Sequence, residues 1–183
     1  LKPNGRVRGI AAGDVFRRLV SKTLARQSQD VLRDLAAPHN FGLCDRGGTD
    51  TLGHLVQFLL EEEDTRVVLS IDGVGAFDHV CRARFFEELC SQRDLHGLLP
   101  FVRQWYGQQT TFFWFDGEGQ PHEVRQGDGG EQGDALMPAL FCMALRRALA
   151  EITELLPPNC VVLAYLDDIY VICPHRDTYR CFE

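Results

Sequence analysis

An α+β fold, a small antiparallel sheet backed by helices, is the class this 183-residue sequence predicts, and three observations carry it. Val161–Tyr165 and Ile169–Cys173 are short β-prone runs on either side of the adjacent acids Asp167 and Asp168, the pattern of two strands joined at a tight tip. Arg66–Ile71 is a further near-continuous apolar run, expected to be a strand buried on both faces, and it ends at Asp72. Around these runs lie stretches whose apolar residues recur at helical spacing.

Taken in order, Lys2-Pro3-Asn4-Gly5 reads as a turn between short extended pieces, with Arg8 on the second. Asp14 is expected to cap a helix with Val15, Phe16, Leu19, Val20 and Leu24 on its apolar face, ending by Pro38. Phe41–Gly48 is a Gly-rich connector without the Lys-Ser of a phosphate loop. Thr49 or Asp50 then caps a second helix carrying Leu52, Leu55, Val56, Leu59 and Leu60, with His54 at or near its surface. After Asp72, Asp78 reads as a helix cap, and Arg82–Cys90 as an amphipathic helix with Phe85, Phe86 and Leu89 inward. Another helix is expected over Leu98–Tyr106. Thr110–Phe115 and His122–Gln126 form a hairpin about Asp116-Gly117-Glu118-Gly119, its aromatics being either core or a base-stacking surface. Gln126–Gly133 is Gly-rich and expected to be flexible. It enters a helix from about Asp134 to Ile152, with Pro138 in the first turn, which Pro157 and Pro158 end.

Composition sets the class: 45% hydrophobic and 25% charged residues suit one soluble globular domain. No run of about 18 apolar residues and no signal-peptide core is present, so neither a membrane span nor secretion is expected. A start at Leu1 without Met suggests a fragment. The seven cysteines, Cys44, Cys81, Cys90, Cys142, Cys160, Cys173 and Cys181, are scattered singly, as reduced thiols in an intracellular protein, nuclear or cytoplasmic, would be. The net charge of −7 disfavours polyanion binding by the chain as a whole. Residues 1–34, however, hold eight Lys or Arg against three Asp, a net of +5, which leaves −12 on the remainder. The phosphate-facing part, if there is one, is this basic segment.

Two carboxylates fixed side by side repel, which raises a pKa or demands a cation. Asp167-Asp168 alone leaves an ordinary turn and a metal site as alternatives. Asp72, at a strand end beside Gly73 and Gly75, adds an acid where a ligand can approach the backbone. Three acids from two strand ends suit a hard oxygen site for Mg²⁺ bound with substrate phosphates. Two such ions, on the order of 4 Å apart, would activate a 3′-hydroxyl and stabilise a departing pyrophosphate. Nucleotidyl transfer is the reaction this donor set suits.

Three stretches, in this order and spacing, resemble the boxes of reverse transcriptases, most closely those of non-LTR retrotransposons. Asp72, with Ala76 and Phe77 four and five residues on, is similar to their first catalytic box. Gln132-Gly133-Asp134-Ala135-Leu136-Met137-Pro138-Ala139-Leu140-Phe141 resembles QGxxxSPxLF, and Tyr165-Leu166-Asp167-Asp168 resembles YxDD. The resemblance implies a polymerase palm with partial fingers and no thumb within the chain, residues 1–65 being the fingers part and 66–183 mostly palm. It implies RNA-directed DNA synthesis in a retroelement, extending a DNA primer on an RNA template with deoxynucleoside triphosphates. Asp72 and Asp167 would hold two Mg²⁺, with Asp168 more peripheral among the metal-site acids and Mn²⁺ as a substitute. Arg8 would meet the triphosphate, and Gln132 and Gly133 the nucleotide and its template base. Phe77 is either core or, as the resemblance implies, lies under the sugar and excludes a 2′-hydroxyl. Gly9 stands where the family usually has Pro, and Met137 where it has Ser. An RNA-templated RNA polymerase is one rival, against which Phe77 argues. A catalytically inactive RNA-binding or interaction module is another.

Overall fold

The structure, a computed structural model, describes residues 13–43, 46–62 and 65–182. The expected turn at Lys2–Gly5, together with Arg8 and Cys44, lies outside them. In chain order the elements begin with α1 (Val15–Gln27), α2 (Gln29–Ala36), α3 (Gly48–Glu62), β1 (Arg66–Asp72), α4 (Ala76–His79), α5 (Arg82–Ser91) and α6 (Leu99–Tyr106). They continue with β2 (Thr110–Phe115), β3 (Pro121–Gln126), α7 (Met137–Leu155), β4 (Val161–Tyr165), β5 (Asp168–Pro174) and α8 (Thr178–Phe182). The α+β class is the expected one. Two compact units are formed, one from residues 13–27 and 75–137 and one from residues 28–74 and 138–182.

The second unit is built on an antiparallel sheet in the order β1-β5-β4. Successive strand residues point to opposite faces, so β4 and β5, apolar or aromatic apart from Asp168, need a layer on each side. On one face Leu163 and Ile172 pack with Leu52 and Leu59 of α3. On the other, Val162, Ala164 and Val171 pack with Leu149 of α7. The outer edge of β4 is covered by His39–Phe41: the Phe41 N–H donates to the Ala164 carbonyl at 2.9 Å and the Ala164 N–H to the His39 carbonyl at 2.7 Å. β1 departs from its expected burial on both faces. It is an edge strand, and Val68, Ser70, Ile71 and Asp72 are exposed. None of the six described cysteines is in a disulfide, and burial is the first cause that pushes the thiols of Cys160, Cys173 and Cys181 upward.

In the first unit, Asp14 caps α1 as expected, its Oδ1 accepting the N–H groups of Phe16 at 2.8 Å and Arg17 at 3.3 Å. The expected single helix to Pro38 is instead two, interrupted at Ser28, whose carbonyl accepts the Leu32 N–H of α2. The face α1 buries is also not the apolar one. Val15, Phe16 and Leu19 are exposed, whereas Arg17 and Ser21 are buried, because both bond to acids of the 126–136 segment. The α5 helix turns Phe85 and Leu89 fully inward with Phe86 half-buried, and Tyr106 at the end of α6 meets Phe85 edge-on at 5.9 Å. The β2–β3 hairpin has the expected strands, but Phe113, Trp114 and Phe115 are more than half exposed and are not core. A two-stranded ribbon has no second layer of its own to bury them.

Gln126–Gly133, expected to be flexible, is pinned. Its Gly129 and Gly130 N–H groups donate to the carbonyls of Val80 at 2.9 Å and Phe77 at 2.8 Å. Gly129 is required for this, since its φ is +72° and a Cβ would lie 2.0 Å from the Asp78 carbonyl oxygen. Asp78 is not a cap: the N-cap of α4 is Gly75, in the left-handed region, and Asp78 lies within the helix. The acid that caps α5 is Asp128, which accepts the Arg82 N–H at 2.9 Å.

Candidate active site

Within the second unit, Asp72 and Asp168 are Cα partners at the end of the β1–β5 ladder. Directly opposed residues share a sheet face, with Cβ atoms about 5 Å apart. Both acids are exposed. Asp167 is half-buried and is the second residue of a two-residue loop, since Tyr165 and Asp168 already pair across the hairpin. The positive φ of this turn falls on Leu166, at +55°, not on an acid. Asp168 is therefore a strand residue and Asp167 alone is a turn residue. No shared backbone role explains their pairing.

The three sequence-predicted acids are thus brought to one end of one sheet, two by register and the third by the turn. Among the described residues no set of three or more His, Cys, Asp or Glu side chains is disposed to hold a metal ion. The opposed pair still fits a divalent cation of the Mg²⁺ kind, which takes one or two carboxylates and completes its shell with water and substrate phosphates. Like charges facing each other across a ladder destabilise it unless something compensates, and a cation between them would.

Asn40 was not legible as part of this site. It is buried at 6% exposure, and its amide bonds both backbone groups of Leu166. Its sequence setting, Asn before Phe-Gly, reads only as connector chemistry.

The remaining described candidates belong to the first unit. Phe77 is a half-buried residue of α4 whose carbonyl accepts from Gly130. Gln132 is half-buried and Gly133 exposed, in a turn held on both sides. Arg17 reaches the acids on either side of it, Glu131 at 2.7 Å and Asp134 at 3.2 Å, and Asp134 also accepts from the hydroxyls of Ser21 and Tyr106 and from the Leu136 N–H. Before it, the buried Arg82 donates to the carbonyls of Gly129 at 2.8 Å and Gln108 at 2.7 Å. Tyr106 lies between the two guanidiniums, 5.5 Å from Arg17 and 5.4 Å from Arg82. Burial pulls the Arg17 guanidinium down, but Glu131, then Tyr106 and Asp134, more than offset it, so its pKa is raised. Burial, followed by Asp134, pushes the Tyr106 hydroxyl far above its ordinary range and keeps it a donor. Met137, in place of the family's Ser, is buried with its sulfur where a Cβ on Gly130 would fall.

Residues 1–181 match the reverse transcriptase (RNA-dependent DNA polymerase) family, and the chain belongs to it. No curated protein sequence matches the chain. Among solved structures it is similar to apo telomerase from Candida tropicalis, with a TM-score of 0.57 at 13% identity over 90% of this chain and 31% of that one. A form of that telomerase truncated from its C-terminal domain gives 0.58 at 14% identity over 91% and 35%. Telomerase from Candida albicans in complex with a TWJ fragment of telomeric RNA gives 0.56 at 12% over 90% and 31%. At these identities the likeness is one of fold, and the chain spans about a third of the length of those solved chains. Among the described residues no helix is long and apolar enough to cross a membrane.

Proposed function

We propose that this chain carries out RNA-directed DNA synthesis in a retroelement, extending a DNA primer on an RNA template with deoxynucleoside triphosphates. The observation that carries the reading is the Asp72–Asp168 pairing with Asp167 in the adjoining turn. Family membership over residues 1–181 supports the reaction class. The RNA-bound state of the Candida albicans telomerase supports an RNA template.

Asp72, Asp167 and Asp168 would hold two Mg²⁺, or Mn²⁺ in their place, which supply charge neutralisation for the attacking 3′-hydroxyl and the leaving pyrophosphate. The carboxylates stand on backbone fixed by two strands, so they would bind the cations with little reorganisation. Gln132 and Gly133 would position the nucleotide, their turn being anchored by Arg17 and Arg82. Arg8 would bind the triphosphate, and Phe77 would exclude a 2′-hydroxyl.

The test is extension of a DNA primer on an RNA template with Mg²⁺ or Mn²⁺, beside Asp167→Asn. Deoxynucleotide incorporation by the parent and its loss in the variant is the expected result. A folded parent that leaves the primer unextended, yet binds RNA equally with and without Mg²⁺, would make the chain a binding module instead.

A further inference from the structure

The turn that carries Asp167 does not hold itself. Leu166 sits at φ +55°, a region a leucine occupies only when its surroundings enforce it. The enforcing group is the side chain of Asn40, 126 residues earlier in the chain. Its Nδ2 donates to the Leu166 carbonyl at 3.2 Å, and its Oδ1 accepts the N–H of Leu166 at 3.1 Å and that of Gly42 at 3.0 Å. An amide is suited to this, since it donates and accepts from adjacent atoms. The backbone around Asn40 is itself tied to β4 through His39 and Phe41. Gly42 completes the fit, because a Cβ there would lie 2.8 Å from the Leu166 nitrogen.

We propose that Asn40 is a positioning residue for the acids. By clamping both backbone groups of Leu166 it fixes where Asp167 and Asp168 present their carboxylates to the divalent ions. The proposal rests on the polymerase reading above. It extends the site to a residue that carries no charge and belongs to none of the three boxes.

The test compares Asn40→Ala with Asn40→Asp, which keeps the two accepted bonds and loses the donated one. Hydrogen exchange without substrate reads the clamp. The Leu166 and Gly42 amides, both donors to Asn40, are expected to exchange on the order of tenfold faster in Asn40→Ala, while Val162 and Leu163 keep their protection. In primer extension, the Mg²⁺ concentration giving half-maximal rate is expected to rise roughly tenfold. The KM for primer–template and the rate at saturating Mg²⁺ are retained. Asn40→Asp, which covers the case of an alanine variant lost to misfolding, is expected to keep the Leu166 amide protected. A merely structural role would lower the rate at every Mg²⁺ concentration and leave the half-maximal value unmoved, and that overturns the proposal. So do unchanged exchange rates at Leu166 and Gly42. If the unsubstituted protein fails to extend the primer, the polymerase reading is what has failed, and exchange decides whether Asn40 holds the turn.

Discussion

Asp72 faces Asp168 across the last rung of the β1–β5 ladder, with no residue of opposite charge opposite either. The sheet would be more stable without this arrangement, so the site and the fold pull in different directions. Asp168→Asn is expected to stabilise the protein by a few tenths of a kcal/mol at low ionic strength and to abolish primer extension. Thermal unfolding at two salt concentrations checks this, because screening should shrink the gain. Mg²⁺ should raise the melting temperature of the parent more than that of the variant. A variant that is less stable at both salts would show that the carboxylates do not repel.

Arg17 is a cation with two acids within reach and little access to water. Removing one partner of such a network leaves charges buried and unpaired. Arg17→Met is therefore expected to cost about 3–5 kcal/mol in chemical denaturation. The double variant Arg17→Met with Glu131→Leu should recover part of that loss, since an apolar pair strands fewer charges. Tyr106→Phe removes one charge-assisted bond to Asp134 and should cost about 2 kcal/mol. Additive losses in the double variant would mean that Arg17 and Glu131 are not coupled.

The sheet and its acids were legible because β4 and β5 are apolar on both faces and are flanked by sequence-local turns. The arrangement of Asp72, Asp167 and Asp168 then needed only the end of each strand. What was not legible depends on partners distant in the chain. The α1 periodicity predicts a helix correctly, but which face is buried is decided by Arg17 and Ser21 bonding to acids 113 and 114 residues away. Glu131 and Asp134, bracketing Gln132-Gly133, were a signal that this turn needs cations. Nothing local pointed to Arg17 as their source. The edge position of β1 was hidden similarly, since Arg66–Ile71 is apolar enough for a central strand and only the topology leaves it with one neighbour.

The tip of the β2–β3 hairpin is expected to respond to acid. Asp116 accepts from His122 at 2.9 Å and from the N–H groups of Glu118 and Gln120, and the His122 bond leads in holding its carboxyl below the ordinary range. A depressed folded pKa gives stability that is present above the unfolded value, near 4, and lost as pH falls through the lower folded value. Trp114, whose ring lies tilted at 37° to that of His122 with centroids 4.9 Å apart, reports on this tip. Its fluorescence should change as pH drops below about 4, and Asp116→Asn should remove that change while leaving the signal at neutral pH. An identical acid transition in both proteins would place the titrating group elsewhere.

Phe77 is half-buried rather than sealed in a core. Its backbone is fixed independently of its side chain, through the Gly130 N–H on its carbonyl. Truncation should therefore remove the ring without releasing α4 from the 126–133 segment. Phe77→Ala is expected to raise ribonucleotide incorporation relative to deoxynucleotide by roughly tenfold or more, with primer extension from deoxynucleotides largely kept. The measurement is the ratio of kcat/KM for a matched ribonucleotide and deoxynucleotide pair. A fall in both rates at constant ratio would assign Phe77 to packing, and the discrimination against the 2′-hydroxyl would then have to come from another residue.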